Sequence, residues 1–394
     1  MTRSHLRSID AVPSDTPFSR SVGDKCPGAL KLFPASDGYI GRLRFPGGRI
    51  TAKTWSVIAK LALELGDGEA HITTRSNLQI RGVNDHTAFS SRAIECGLVP
   101  SIAHDRMRNI LASPLSAKAQ ADSRTLDAAI LADSDVAALP GRILFGIDSG
   151  RGDILGQRVD FGAQHRSDGS YRLILAGEPT PYCAPDQRTM IDSLLDAARY
   201  WQSHRGKLWR VAESASLTRE IMELWSQNTA LSYEDLRDIL RPEPEHHMRP
   251  VGWLDNEDGT VSLGVGLPFG VIPQQALQVL GVIEVDTSIT PWASLVVHDL
   301  TEGDAEAIVK VLAPLGLILD ANSPWLKVSA CTGLPGCQKS HSVTRSDASE
   351  FIERGYDLDT PVHFSGCERR CGHPLTTYTD YVAVGDGEYE VYNR

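Results

Sequence analysis

An internal repeat at an offset of about 220 residues constrains this chain more than any local propensity, because both halves must then fold as the same supersecondary units. Phe33 through Gly38 to Pro46 and Ile50 reads as an aromatic-to-glycine loop, a strand and a Pro/Gly turn. Trp253 through Gly259 to Pro268 and Ile272 reads the same way. Helical patterns follow at residues 54–65 and 274–280, and Ile72-Thr73 and Ile289-Thr290 each open a new strand. Further on, residues 139–145 lead into a Gly-rich loop as residues 360–364 lead into a cysteine pair. Both halves then reach an Asp-Gly-x-Tyr turn, at residues 168–171 and 386–389, a hairpin signal between short strands. The pattern predicts a duplicated α+β protein.

Between the halves, Ile191, Leu194, Leu195 and Ala198 fall at helical spacing. Ser232 is expected to cap a second run carrying Leu236, Ile239 and Leu240, which ends at Pro242 and Pro244. This stretch reads as a helical linker, with His246-His247 a solvated pair. Met1 to Asp24 is polar and mixed in charge with no apolar h-region, so a flexible extension is expected there, and with it a cytoplasmic protein. No apolar run approaches the roughly 20 residues that span a bilayer. The net charge of −11 excludes nonspecific nucleic-acid binding, and any anionic ligand must meet a locally basic pocket.

Seven cysteines are present, and four crowd into the last 64 residues. Cys331 and Cys337 form C-x5-C, and Cys367 and Cys371 form C-x3-C. Four soft thiolates suit iron-sulfur or zinc; structural zinc pairs are usually spaced by two to four residues, so the longer spacing favours an iron-sulfur cluster. Gly333, Gly336, Gly366 and Gly372 flank the thiols and let backbone N–H groups turn toward sulfur. Cys26, Cys96 and Cys183 stand apart and read as ordinary cysteines.

The segment from His71 to Gly82 alternates. A period of two puts Arg75, Asn77, Gln79 and Arg81 on one face and Leu78 and Ile80 on the other. Guanidinium forks pair bidentately with carboxylates, so the polar face suits a ligand with several acid groups; a solvated outer face would alternate in the same way.

Ala330 to Cys337, with Gly366-Cys367-Glu368-Arg369-Arg370-Cys371, resembles the cluster motif of the nitrite and sulfite reductases, and the resemblance extends over nearly the whole chain. It implies two ferredoxin-like half-domains plus two larger α/β units. The implied bounds are an extension at 1–25, half-domains at 26–90 and 246–310, α/β units at 91–183 and 311–394, and the linker at 184–245. It implies a 4Fe-4S cluster on Cys331, Cys337, Cys367 and Cys371, the last also bridging to siroheme iron in that family. It further gives Arg75, Arg108 and Arg142 catalytic roles and makes Arg75, Asn77, Gln79, Arg81, Arg108 and Asn109 cofactor-binding. Where the reductases carry two lysines two residues apart, this chain has Arg142 and Leu144.

That departure, with residues 26–30 (Cys-Pro-Gly-Ala-Leu), 77–82 and Thr290-Pro291-Trp292, is similar to the precorrin-3B synthases. Their implied reaction hydroxylates precorrin-3A at the C20 meso position with O2 and closes a ring A acetate to a γ-lactone, in aerobic cobalamin biosynthesis. A mononuclear non-heme iron would accompany the cluster on this reading, and siroheme on the reductase reading; a noncatalytic tetrapyrrole-binding protein is a third. The iron's ligands stay open among His71, His104, His341, His363 and His373. The electron supply is NADH-linked by resemblance, yet no G-x-G-x-x-G sits between a strand and a helix, so a donor protein or separate reductase is expected. Neither nucleic acid nor membrane is an expected partner.

Overall fold

The computed structural model describes residues 24–236, 249–355 and 358–394. The repeat is visible element by element. In the first half, β1 (Phe33–Ala35) and β2 (Gly38–Arg44) form a hairpin, followed by β3 (Arg49–Ile50), α1 (Ala52–Leu65), β4 (Ala70–Ile72), β5 (Asn77–Val83) and α2 (His86–Glu95). In the second half the same unit begins at Gly252: β12 (Gly252–Asp255), β13 (Val261–Gly266), β14 (Val271–Ile272), α6 (Gln274–Val282), β15 (Thr287–Ile289), β16 (Ser294–Leu300) and α7 (Glu302–Leu312). The turn before β3 puts Gly47 at φ +67°, and the matching turn before β14 puts Phe269 at φ +52°. The left-handed backbone is kept even where a side chain makes it unfavourable.

The two half-domains exchange strands. One sheet runs β1-β2-β5-β4-β14 and the other β12-β13-β16-β15-β3, so each receives its last strand from the opposite half. Thr51 caps α1 by accepting from Thr54 N–H, and Trp55, Ile58, Ala59, Leu61 and Ala62 recur at helical spacing to bury one face. The helix packs on α6 and β15: Ser56 Oγ donates to the Gly281 carbonyl of α6 at 2.9 Å, and Trp55 Nε1 donates to Thr287 Oγ1 of β15 at 2.7 Å. Side chains from both halves form one continuous apolar core.

The larger units also share a topology. In the first, β6 (Ile110–Ala112), β7 (Phe145–Asp148) and β8 (Phe161–His165) run parallel, and β9 (Tyr171–Leu175) and β10 (Glu178–Ala184) continue antiparallel. In the second, β17 (Val328–Ala330), β18 (Val362–Ser365) and β19 (Thr379–Gly385) run parallel and β20 (Glu388–Asn393) returns antiparallel. The two Asp-Gly-x-Tyr turns join β8 to β9 and β19 to β20. Helices α3 (Ala117–Leu131) and α8 (Thr344–Glu353) cross over within these units.

The helical stretch is not a free linker. Helices α4 (Gln187–His204) and α5 (Ala215–Ser226) bury Met190, Leu194, Trp201, Ile221 and Trp225 in the core of the first α/β unit. Ser232 is not a helix cap: Ser232–Tyr233 form β11, an edge strand on β10. Ile239, Leu240, Pro242, Pro244 and His246-His247 lie outside the described residues, as do residues 1–23 of the expected extension.

Candidate functional site

The segment from His71 to Gly82 is two strands, not one. β4 and β5 are joined by a turn in which Ser76 has φ +49°, and this moves Arg75 off the strand face to the tip of the hairpin. On β5, Asn77, Gln79 and Arg81 do share a face, opposite fully buried Leu78 and Ile80. The polar face is covered rather than solvated. β2 pairs Arg42 with Gln79 and Arg44 with Asn77, which adds two arginines that period-two reading of β5 alone could not find. The signal was the Arg-Leu-Arg alternation of β2.

Asn109 organises this face. Its Oδ1 accepts from Arg44 Nε (3.2 Å) and Asn77 Nδ2 (3.0 Å), and its Nδ2 donates to the carbonyls of Gly141 and Ile143 (3.0 Å each). Asn77 Oδ1 accepts from Phe45 N–H at 3.3 Å. Both amides are thus engaged within the protein, and Asn109, itself held by Asn77, positions Arg44. Gln79 is half-buried on the same face.

Arg44 is buried, with its fork on the carbonyls of Asp105 (2.9 Å) and Pro27 (3.1 Å). Burial first, and then the neighbouring Arg42 charge, lower its pKa to about 9, with Cys26 and Asp105 opposing. Burial likewise lowers Arg75 to about 10, with Cys26 opposing and Arg210 and Arg42 adding to the drop. Among the described residues Arg42 and Arg75 meet no carboxylate. Arg42 Nη1 donates to Cys26 Sγ (3.4 Å) while its Nε is buried without a partner, and Arg75 Nη1 donates to the Gly141 carbonyl (3.1 Å). Cys26, expected to be ordinary, therefore lies in the basic pocket; Cys96 is exposed and Cys183 buried.

The other expected arginines are placed differently. Arg108 forks onto Asp127 of α3 at 2.8 and 2.6 Å, so its Nε and Nη2 are engaged within the protein. Arg81 forks onto Asp37 (2.9 and 3.0 Å) and its Nη2 also donates to the Gly336 carbonyl (2.8 Å), tying β5 to the loop between Cys331 and Cys337. Arg142 is exposed and lies over the Trp209 ring, 4.6 Å from its centroid. Leu144 is buried with Leu111, Ile154, Val159 and Ile174, against Trp292 from the second half.

The four cysteines stand at the ends of β17 and β18 and in the loops that follow. Gly366 N–H donates to Cys331 Sγ at 3.1 Å, and a side chain there would collide with Ser340, whose Oγ lies 2.0 Å from the position of a Cβ. The four thiols are close enough to act on one another: partial burial, then the sulfurs of Cys331, Cys367 and Cys337, push the Cys371 thiol up. Tetrahedral zinc would draw its sulfurs to about 3.8 Å apart. Among the described residues the one group of three His, Cys, Asp or Glu ligand atoms within 4.8 Å is Asp67, Glu69 and His71, so no three cysteine sulfurs converge on a single ion. Four thiolates gathered in these loops, with a backbone N–H on the Cys331 sulfur, fit an iron-sulfur cluster.

The Asp67, Glu69 and His71 group is not a cation site of the same quality. Its histidine is engaged within the protein, with His71 Nδ1 3.4 Å from Arg345 Nη2 and Nε2 3.3 Å from Asp67 Oδ2. His104 is held by Ser101 Oγ (2.7 Å) and the Asp133 carbonyl (3.0 Å). His363 is fully buried, its Nδ1 2.8 Å from Ser329 Oγ and its Nε2 without a partner. Burial lowers its pKa to about 4.

Residues 34–88 match the family model of the nitrite/sulfite reductase ferredoxin-like half domain. The chain is 21% identical to the sulfite reductase [NADPH] hemoprotein beta-component of Acidithiobacillus ferrooxidans, over 90% of this chain and 76% of that one. It is 25% identical to a precorrin-3B synthase from Sinorhizobium, over 92% of this chain and 81% of that one. Among solved structures, the NirA protein of Mycobacterium tuberculosis superposes with a TM-score of 0.72 at 19% identity, covering 90% of this chain and 73% of that one. The fold is that of the nitrite and sulfite reductases, and the likenesses together support that superfamily. Among the described residues no helix is long and apolar enough to cross a membrane.

Proposed function

We propose that this chain is an oxygen-dependent enzyme of the precorrin-3B synthase type, hydroxylating precorrin-3A and forming its γ-lactone. The observation that carries the reading is Leu144. A reductase of small oxyanions uses a second cation at this position to neutralise and protonate its substrate, and here the position is apolar, buried and packed against Trp292. The likeness to the Sinorhizobium synthase, over 92% of the chain, supports the same choice.

Cys331, Cys337, Cys367 and Cys371 would hold a 4Fe-4S cluster, which when bound supplies one-electron transfer. The chain's own residues bind and orient. Arg42 and Arg75, which form no ion pair with a carboxylate among the described residues, would receive acid side chains of the tetrapyrrole, while Asn77, Asn109 and the Gly141 carbonyl hold Arg44 and Arg75 in place. Arg81 couples this pocket to the cluster loop through Gly336. Reducing equivalents would arrive from a donor protein or NADH-linked reductase.

A siroheme-dependent sulfite or nitrite reductase is the second reading, favoured by the half-domain match and the hemoprotein likeness. Supplied with a reduced donor, the synthase consumes oxygen only with precorrin-3A and places label from isotopic dioxygen in the product hydroxyl. Precorrin-3A returned unchanged, with sulfite or nitrite reduced at about 1 per second or faster, refutes the reading and establishes the reductase.

A further inference from the structure

We propose that Asp380 is a positioning residue for the cysteine centre: its carboxylate holds both ends of the Cys367–Cys371 loop and so fixes how far apart the two thiolates stand. The inference rests on the cluster reading of the four cysteines and not on the choice between synthase and reductase. Asp380 lies on β19, fully buried, in parallel register with His363 of β18. Its Oδ1 accepts from Ser365 Oγ at 2.9 Å, and Ser365 ends β18 two residues before Cys367. Its Oδ2 accepts from Arg370 Nε at 2.8 Å, and Arg370 immediately precedes Cys371. One carboxylate therefore spans the whole C-x3-C segment.

The loop needs such an anchor. From Glu368 to His373 every residue except Arg370 is exposed, Cys371 included, so burial in the core does not hold these residues. Arg370 also has φ +49°, a left-handed backbone that a side chain makes unfavourable and that persists where its surroundings over-determine it. Here they do. Its N–H donates to the Cys367 carbonyl (3.1 Å), its carbonyl accepts from His373 N–H (3.3 Å), and its Nη1 donates to the Glu368 carbonyl (2.9 Å). Glycine fills such a turn position more easily, and what the arginine side chain adds is the tie to Asp380. Asp380 Oδ2 takes a second guanidinium, Arg394 Nε at 3.1 Å, whose hydrogen bonds among the described residues go to Asp380 and Tyr378 and not to the loop. Two guanidinium groups and a hydroxyl share the carboxylate, so loss of any one of them leaves Asp380 paired.

The test compares Arg370→Gly, Ser365→Ala and Arg394→Met with the unaltered protein, each as the full chain loaded anaerobically with iron and sulfide. Arg370→Gly keeps the left-handed turn and removes the tie beside Cys371, and the milder Ser365→Ala removes the tie before Cys367. Arg394→Met removes a cation from the same carboxylate oxygen and leaves both ties in place. Iron should pass to a chelator faster from Arg370→Gly and Ser365→Ala by about tenfold or more, the scale of lost outer-shell contacts, and at the unaltered rate from Arg394→Met. The paramagnetic resonance of the reduced cluster should shift in the first two variants and keep its line shape in the third, whereas an ion pair that only stabilises the fold would give Arg370 and Arg394 equal weight. Equal iron release from all three variants, or an unshifted resonance in both Arg370→Gly and Ser365→Ala, overturns the proposal. An unaltered protein that takes up neither iron nor sulfide is a separate failure, which overturns the cluster reading and the proposal with it.

Discussion

Replacing Arg81 by Met tests whether the two halves are coupled through one side chain. Arg81 is 7% exposed and its partner Asp37 27% exposed, so the substitution strands a carboxylate that keeps some water, together with the Gly336 carbonyl. Breaking a fully buried pair costs about 3–5 kcal/mol and orphaning a buried acceptor about 1–3 kcal/mol. Partial solvation of Asp37 reduces the first figure and the shared guanidinium makes the two non-additive, so a net loss of about 3 kcal/mol is expected. Urea unfolding of the apoprotein measures it, with Asp37→Asn and the double variant closing the cycle. Of this pair Arg81 donates the hydrogen bond to the cluster loop, while Asp37 only lies against Gly336, so Arg81→Met should also lose iron faster than Asp37→Asn, by about tenfold or more, the scale of lost outer-shell contacts. A stability loss under about 1 kcal/mol with iron retention equal to that of Asp37→Asn would refute the coupling.

Serine at any of Cys331, Cys337, Cys367 or Cys371 should abolish acid-labile sulfide and the brown colour, whereas Cys183→Ser should leave both. Arg75→Ala should weaken tetrapyrrole binding about 10- to 100-fold in titrations, the loss of one charge-assisted contact, while the cluster is retained. Arg108→Ala should instead lower the unfolding midpoint and leave tetrapyrrole affinity within about twofold, because it strands Asp127 rather than a ligand. Burial, with Arg49 second, lowers His298 to about 4 from the usual 6.5. The unfolded chain therefore binds the extra proton first, and stability falls as pH drops from 6.5 toward 4, by up to about 3 kcal/mol from this one residue. His298→Gln should flatten that part of the stability profile, and an unchanged slope would rule the residue out.

The duplication was legible because it is written as recurring turns and periods, and the copies fold as copies: the turns at Gly47 and Phe269 share a left-handed backbone. The cysteine quartet was legible for the same reason, since its spacing and glycine context are local. Arg75 was found by resemblance but placed on a strand, when Ser76 and Thr73 turn the chain there. Arg108 and Asn109 were assigned together, yet the structure spends one on Asp127 and the other on holding Arg44 and Asn77, and neither partner stands next to them in the sequence.

The sequence by itself determined the repeated unit, the clustering of the four thiols and the apolar residue two places after Arg142, because each depends on residues a few positions apart. Only the tertiary structure decided that the halves exchange β3 and β14, that α4 and α5 belong to a core, and that Cys26 meets Arg42 and the carbonyl side of Gly141. Those facts depend on pairings across tens to hundreds of residues. Hydrophobic period and turn chemistry specify which face of an element is buried; they do not specify which other element buries it, and here that choice assembles the basic pocket.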